Sequence, residues 1–136
     1  MEKKYVIVIN SELPIGLIAN TSAVLALTLG NKLEGIIGSV VVDGDGRAHE
    51  GITTIPIPIL KASGANLKEL RDIIHTDYPD LFLVDFSNVA QTTKNYEDYT
   101  DKMASSTKDD LHYLGIAIYG NKRSVNKLTG SLPLLR

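Results

Sequence analysis

The hydrophobic pattern changes period after residue 14, and this change predicts a strand followed by a buried helix. Val6 to Ile9 is a short apolar run, rich in β-branched residues and ended by a turn at 10–14, which is typical of a buried strand. From Gly16 to Leu29, apolar residues recur at helical spacing and no residue is charged. Such a helix cannot face water, so we expect it to pack on a sheet, on a partner subunit or on both.

The middle of the chain predicts a hairpin and an edge strand. The apolar segment 39–42 runs into the turn Asp43–Gly46, so we expect a hairpin there. The sequence TTIPIPIL at 53–60 predicts an edge strand, because Pro56 and Pro58 remove N–H donors from the same side of it. The alternating isoleucines of this strand should share the core face of the sheet: Ile55, Ile57 and Ile59.

The second half of the chain continues the alternation of helices and strands. Helices are predicted at 63–77, after a cap at Asn95, and in a C-terminal segment that ends at Gly130, with strands at 81–84 and 113–119. The apolar tail 131–135 should pack against the domain. Alternating strands and helices indicate a three-layer α/β domain, and the hairpin with the edge strand argues for a mixed sheet. No repeat or linker divides the chain, so we expect one domain over residues 1–136.

Composition and charge narrow the classes of function. The chain of 136 residues is 43% hydrophobic and 22% charged, which suits one globular domain. The absence of cysteine excludes disulfides and thiol chemistry and fits a cytoplasmic location. A net charge of −2 argues against nucleic-acid binding. No apolar run reaches the ~20 residues that span a membrane, and the N-terminal run is too short for a signal peptide.

No motif in the sequence defines a catalytic or cofactor site. The glycine patterns of phosphate and dinucleotide binding are missing, and so is the nucleophile elbow of serine hydrolases. The three histidines lack metal-ligand spacing, so we expect neither a metal nor a cofactor. The candidates are polar residues near the ends of elements and in the first helix. They comprise Asp85 as the candidate catalytic carboxylate, and Asn20, Thr21, Gln91 and Lys127 as candidate binding residues.

Two segments permit both a structural and a functional interpretation. Asp85 either caps the turn at 85–88 or is a carboxylate at the carboxyl end of a strand, where α/β sheets place their ligands. The segment 121–136 carries four basic residues and no acid. It forms either a solvated helix face or a small anion site.

Two stretches of the chain resemble the type II peptidyl-tRNA hydrolases of archaea and eukaryotes. They are LPIGLIANTSA after the first strand and GNKRSVNKLTGSLPLL at the C-terminus, and the second is the more specific. The full sequence resembles still more closely an uncharacterised bacterial family, the domain of unknown function numbered two thousand. These resemblances imply a type II peptidyl-tRNA hydrolase-like fold with a four-stranded, mostly parallel mixed sheet, and a homodimer.

The hydrolase site transfers to this sequence only in part. The family's aspartate at the end of the third strand matches Asp85. Its lysine, glutamine, histidine and threonine fall on residues that are apolar or shorter, namely Leu17, Thr21, Val24 and Val89. Because loss of one preorganised polar group commonly costs ~100-fold in rate, we do not expect this site to perform the same reaction.

Three functions are compatible with these observations. The favoured one is a ligand-binding or regulatory module with a small-molecule pocket near Asn20, Asp85 and Lys127. The second is a divergent hydrolase of esters or amides that uses Asp85 with Asn20 and Gln91. The third is peptidyl-tRNA hydrolase activity itself. The sequence therefore leaves open whether the protein is an enzyme.

Overall fold

A four-stranded mixed sheet forms the centre of the structure, a computed structural model that describes residues 2–136. The strands β1 to β6 are Lys3–Asn10, Val41–Val42, Ala48–His49, Ile59–Ala62, Phe82–Ser87 and Tyr113–Asn121. The helices α1 to α5 are Ile15–Lys32, Gly64–Asp77, Asn88–Thr92, Tyr96–Ala104 and Lys122–Thr129. A short 3-10 turn at Lys108–Asp110 precedes β6. The predicted α/β class is confirmed.

The sheet has the strand order β4-β1-β6-β5. β1 pairs in parallel with β4 and antiparallel with β6, and β6 pairs antiparallel with β5. Three strands therefore run in one direction and β6 runs against them, so β1–β4 is the one parallel pair of this sheet. The predicted four-stranded mixed sheet is confirmed. It is mostly parallel in strand direction but not in pairing, since two of its three pairings are antiparallel. The hydrolase-like fold stays a prediction.

Alternating side chains of β1 divide the core into two halves. Tyr5, Ile7 and Ile9 pack in a cluster with Leu25 and Leu29 of α1. On the other face, the neighbouring valines of β1 pack with residues of α2, β6 and α5: Val6, Val8, Leu67, Ile74, Ile116, Ile118 and Val125. Because successive side chains of a strand point to opposite faces, β1 needs a helical layer on each side. The result is the predicted three-layer arrangement.

The sheet buries only one face of α1. Thr21, Leu25 and Leu29 are fully buried, while Ile15 is 85% and Leu27 is 76% exposed. The expected burial against a sheet is therefore met by the inner face of the helix. Its outer face carries no charged residue between Ile15 and Asn31, and residues 2–136 leave it exposed.

The proline-bearing segment occupies the sheet edge, but its regular strand starts later than predicted. Because Pro56 and Pro58 lack N–H donors, ladder pairing begins at β4, after the second proline. The C-terminal tail covers the outer side of β4: Lys61 N–H donates to the Pro133 carbonyl at 3.0 Å, and Leu135 N–H donates to the Ile59 carbonyl at 2.9 Å. The three isoleucines pack towards α1 as predicted: Ile55, Ile57 and Ile59.

The predicted hairpin forms as β2 and β3, and charged side chains tie its ends together. The Asp43 carboxylate accepts from Arg47 Nε at 2.9 Å, and its Oδ2 lies 2.8 Å from His49 Nε2. His49 therefore stabilises the hairpin turn.

Gly115 of β6 lies where α1 crosses the sheet. A Cβ at this position would meet Ile9 Cδ1 and Thr21 Cγ2 at 2.8 Å. We expect Gly115→Ala to lower the free energy of unfolding by about 1–3 kcal/mol through overpacking, measured by urea denaturation. Gly30→Ala in α1 is the matched control, because nothing lies within 4 Å of its Cβ. Equal effects of the two substitutions would contradict this account of the packing.

Candidate ligand-binding site

A direct turn from β5 into α3 sets up the candidate site. The pairing register shifts between Phe86 and Ser87, so β5 ends in a bulge, a feature that often lies beside functional sites. Asn88 then fixes the turn: its backbone N–H donates to the His112 carbonyl at 2.9 Å, and its side chain accepts from His112 N–H at 2.9 Å. Helix α3 therefore begins immediately beyond the sheet.

Helix α4 brings two tyrosines to the same region. Its predicted cap is confirmed, since Asn95 Oδ1 accepts from the Asp98 N–H at 2.8 Å. Tyr96 and Tyr99 lie three residues apart and therefore on neighbouring positions of the helix. Their ring centres are 5.4 Å apart in an edge-to-face arrangement.

A cavity of about 400 Å³ lies between α1, β5 and the α3–α4 segment. Its apolar lining comes from three elements: Val24 of α1, Val84 and Phe86 of β5, and Ala90 of α3. The polar residues that line it are Thr28, Asp85, Thr93, Lys94, Asn95, Tyr96 and Tyr99. This volume and this mixture of apolar surface with a few polar groups are typical of small-molecule sites.

Asp85 faces away from α1 and is held by an ion pair. Since Val84 and Phe86 pack towards α1 and Leu83 packs towards α2, strand alternation turns Asp85 towards α2. There its Oδ2 accepts from Arg71 Nε at 3.2 Å, and the guanidinium lies 5.3 Å from the ring centre of Tyr113. Because β5 is an edge strand, Asp85 also reaches the lining of the cavity.

The phenol of Tyr99 is a neutral hydrogen-bond donor at neutral pH. Burial raises the pKa of Tyr99 above its ordinary value, and the negative charge of Asp85 adds to this effect. Burial likewise raises the pKa of Tyr113, although the neighbouring Arg71 opposes the shift. Both hydroxyls therefore keep their protons well beyond the physiological range.

The structure separates most of the residues that the sequence singled out. Asp85 lines the cavity, whereas Asn20, Thr21, Gln91 and Lys127 do not. Asn20 is exposed on α1, and Lys127 is exposed on α5 across the sheet from it, so they do not share a pocket. Thr21 is buried on the inner face of α1, and its hydroxyl has no hydrogen-bond partner within residues 2–136. Gln91 is exposed on α3.

Sequence reasoning missed the residues of the cavity rim. Lys94, Tyr96 and Tyr99 lie in the polar stretch 88–112, which carries no motif that marks a binding site. The cap at Asn95 correctly placed the helix, but no sequence pattern places that helix opposite Val24 and Thr28. Of the positions matched to the hydrolase site, Val24 and Asp85 line the cavity, while Leu17, Thr21 and Val89 do not.

Two further structural features bear on function. Among residues 2–136, no three His, Cys, Asp or Glu side chains are grouped as a metal site would require. Over the same residues, no helix is both long and apolar enough to cross a membrane.

In the C-terminal basic segment, Lys122 pairs with Glu2 at 2.9 Å, while Arg123 and Lys127 are exposed.

Together these features define an α/β domain with a ligand-sized cavity at the edge of its mixed sheet. The chain belongs to the family described as Protein of unknown function (DUF2000), whose model matches residues 3–136. It is similar to a solved structure, the protein of unknown function Atu0240 from Agrobacterium tumefaciens strain C58, with a TM-score of 0.86 and 17% identity over 98% of each chain. This likeness concerns the fold. No curated protein matches the chain.

The half-buried Arg71–Asp85 pair should be energetically coupled. We expect Arg71→Met and Asp85→Asn each to lower the free energy of unfolding by about 1–3 kcal/mol. Arg71→Met leaves Asp85 without its cation, and Asp85→Asn leaves Arg71 with Asp72 as its remaining carboxylate partner at 3.3 Å. The double variant should lose less than the two losses added, with a coupling of about 0.5–3 kcal/mol from urea denaturation.

The exposed pair Lys122–Glu2, with a similar separation of 2.9 Å, is the control for this double-mutant cycle. Solvent and salt screen this pair, so its cycle should give no measurable coupling. Additive losses at Arg71 and Asp85 would contradict the proposed coupling.

Proposed function

We propose that this protein is a small-molecule-binding module whose site is the cavity between α1, β5 and α4. The observation that carries the proposal is the lining itself. An apolar wall formed by Val24, Val84 and Phe86 adjoins the polar groups of Lys94 and Tyr99 in a volume of about 400 Å³. Such a lining offers apolar burial together with a few groups that orient a ligand.

The geometry supports binding over hydrolysis. A general base must lie within hydrogen-bond reach of the proton that it abstracts. The Asp85 carboxylate is turned towards α2 and engaged by Arg71 at 3.2 Å. Asn20 and Gln91, which the hydrolase alternative needs beside Asp85, do not line the cavity. The second alternative, an ester or amide hydrolase, therefore has less support, and peptidyl-tRNA hydrolase activity has the least.

A substitution that fills the cavity should abolish ligand binding and leave the fold intact. We expect a thermal-shift screen of a fragment library to find compounds that raise the Tm of the wild type, as any ligand specific for the native state does. Thr28→Phe should remove these shifts, because Thr28 is exposed on α1 and lines the cavity.

The matched control for this screen is Thr100→Phe, on an exposed position of α4 outside the cavity lining. This variant should keep every ligand-induced shift. Fragments that stabilise Thr28→Phe as well as the wild type would place their site elsewhere. A screen without any stabilising compound would count against the binding module.

We also propose that two copies of the chain associate through the outer face of α1. Ile15, Ala19, Ala23 and Leu27 follow one another at intervals of four residues on the exposed face of this helix. The hairpin region also carries exposed apolar side chains, at Ile37, Val40, Val41, Val42 and Ile52. Exposed apolar surface can mark interaction sites, and a two-fold axis lets one patch cover its own copy.

A charge in the middle of this face should prevent association. We expect analytical ultracentrifugation to find a dimer for the wild type and a monomer for Ala23→Glu, because the dimer would bury an unpaired carboxylate. Ala65→Glu, on an exposed position of α2, is the control and should stay dimeric. A monomeric wild type at micromolar concentration would end the dimer proposal.

A further inference from the structure

We infer that the cavity selects small organic monoanions with an apolar body, such as aromatic or branched aliphatic carboxylates, and that Lys94 binds their charged group. This inference rests on the proposed function, since it names the ligand class of the same cavity. Three properties of the lining lead to it: the charges of its residues, the hydrogen-bond donors that it offers, and the number of its cations.

Lys94 provides the available positive charge of the cavity lining. The two charged residues of the lining are Asp85 and Lys94. Asp85 is paired with Arg71 at 3.2 Å, and Asp72, the second carboxylate that contacts Arg71, also has Lys108 at 3.8 Å. The two carboxylates behind the cavity thus have two cations. Lys94 is exposed, and in the part of the chain that the structure describes no ion pair or hydrogen bond holds its ammonium group. An entering anion therefore meets an available cation, whereas an entering cation meets a carboxylate that is already paired.

Two polar side chains of the lining near Lys94 can donate hydrogen bonds to a ligand. Asn95 uses its Oδ1 to accept from Asp98 N–H at 2.8 Å, which leaves its amide NH₂ group as the group available to a ligand. Burial raises the pKa of Tyr99, so its hydroxyl keeps its proton and can donate as well as accept. An ammonium, an amide NH₂ and a phenol together match the acceptor oxygens of a carboxylate, and bonds to ionised acceptors are the stronger ones.

The single cation and the apolar wall set the rest of the ligand class. Polyphosphates are held by several cations or by a cradle of backbone N–H groups, whereas Lys94 is the one basic residue of this lining. Val24, Val84, Phe86 and Ala90 offer apolar surface opposite a pair of tyrosine rings. The lining thus suits one negative charge attached to an aromatic or branched aliphatic body.

The test compares carboxylates with their neutral amides. Benzoate, phenylacetate and 4-phenylbutyrate, each with its primary amide, are titrated into ¹⁵N-labelled protein, and the amide shifts of the cavity residues are followed by NMR. We expect at least one carboxylate to bind the wild type about fivefold or more tightly than its amide, the ratio expected for a charge-assisted hydrogen bond at a partly exposed site. Lys94→Gln should remove this preference while amide binding stays unchanged.

Lys127→Gln serves as the charge-matched control, because Lys127 is exposed on α5 across the sheet from the cavity. It should leave the carboxylate preference intact. Equal affinity for carboxylates and amides, or a preference that survives Lys94→Gln, would overturn the anion assignment while the cavity remained a binding site. If no carboxylate shifts the cavity residues, the anion assignment also fails, and the fragment screen with Thr28→Phe then decides separately whether the cavity binds ligands.

Discussion

The burial of β1 on both faces is the constraint on which the other elements of this domain depend. Its odd-numbered side chains need cover from α1, and its even-numbered ones need cover from α2 and α5. β6 lies beside it and is almost entirely buried, and Gly115 lets α1 approach this strand closely. Hydrophobic burial is thus concentrated in the two central strands, where it contributes most. The outer strands β4 and β5 are each left with one free edge.

The chain treats the two free edges of the sheet differently. The C-terminal tail closes the β4 edge through backbone hydrogen bonds, so that edge is not available to a partner strand. At β5 the chain instead turns directly into α3 and α4, which leaves a cavity beside the strand. Arg71 pairs with Asp85 on the far side of β5. This ion pair therefore affects the site, because it offsets the negative charge that Asp85 brings to the lining.

Helix α1 connects the core, the cavity and the proposed dimer face. Its buried face carries Thr21, Leu25 and Leu29, and its flank offers Val24 and Thr28 to the cavity. The third face is uncharged and exposed, with Ile15 and Leu27 as its largest side chains. A helix that carries no charge before its last residue, Lys32, is unusual unless each of its faces packs against something. The three uses assigned to α1 account for this composition without a catalytic role for the helix.

Sequence alone determined most of the secondary structure and the position of one strand in the sheet. The change of hydrophobic period predicted β1 and α1, Asn95 and Ser63 marked helix starts, and two prolines predicted the edge strand. These features depend on residues a few positions apart, so the local sequence contains them.

Only the tertiary structure decided which polar groups meet. It placed the sheet between Asn20 and Lys127, turned Asp85 towards Arg71, and brought Lys94 and Tyr99 opposite Val24. Such contacts depend on how elements that are distant in the sequence pack against each other. This packing produces no periodic pattern in the sequence.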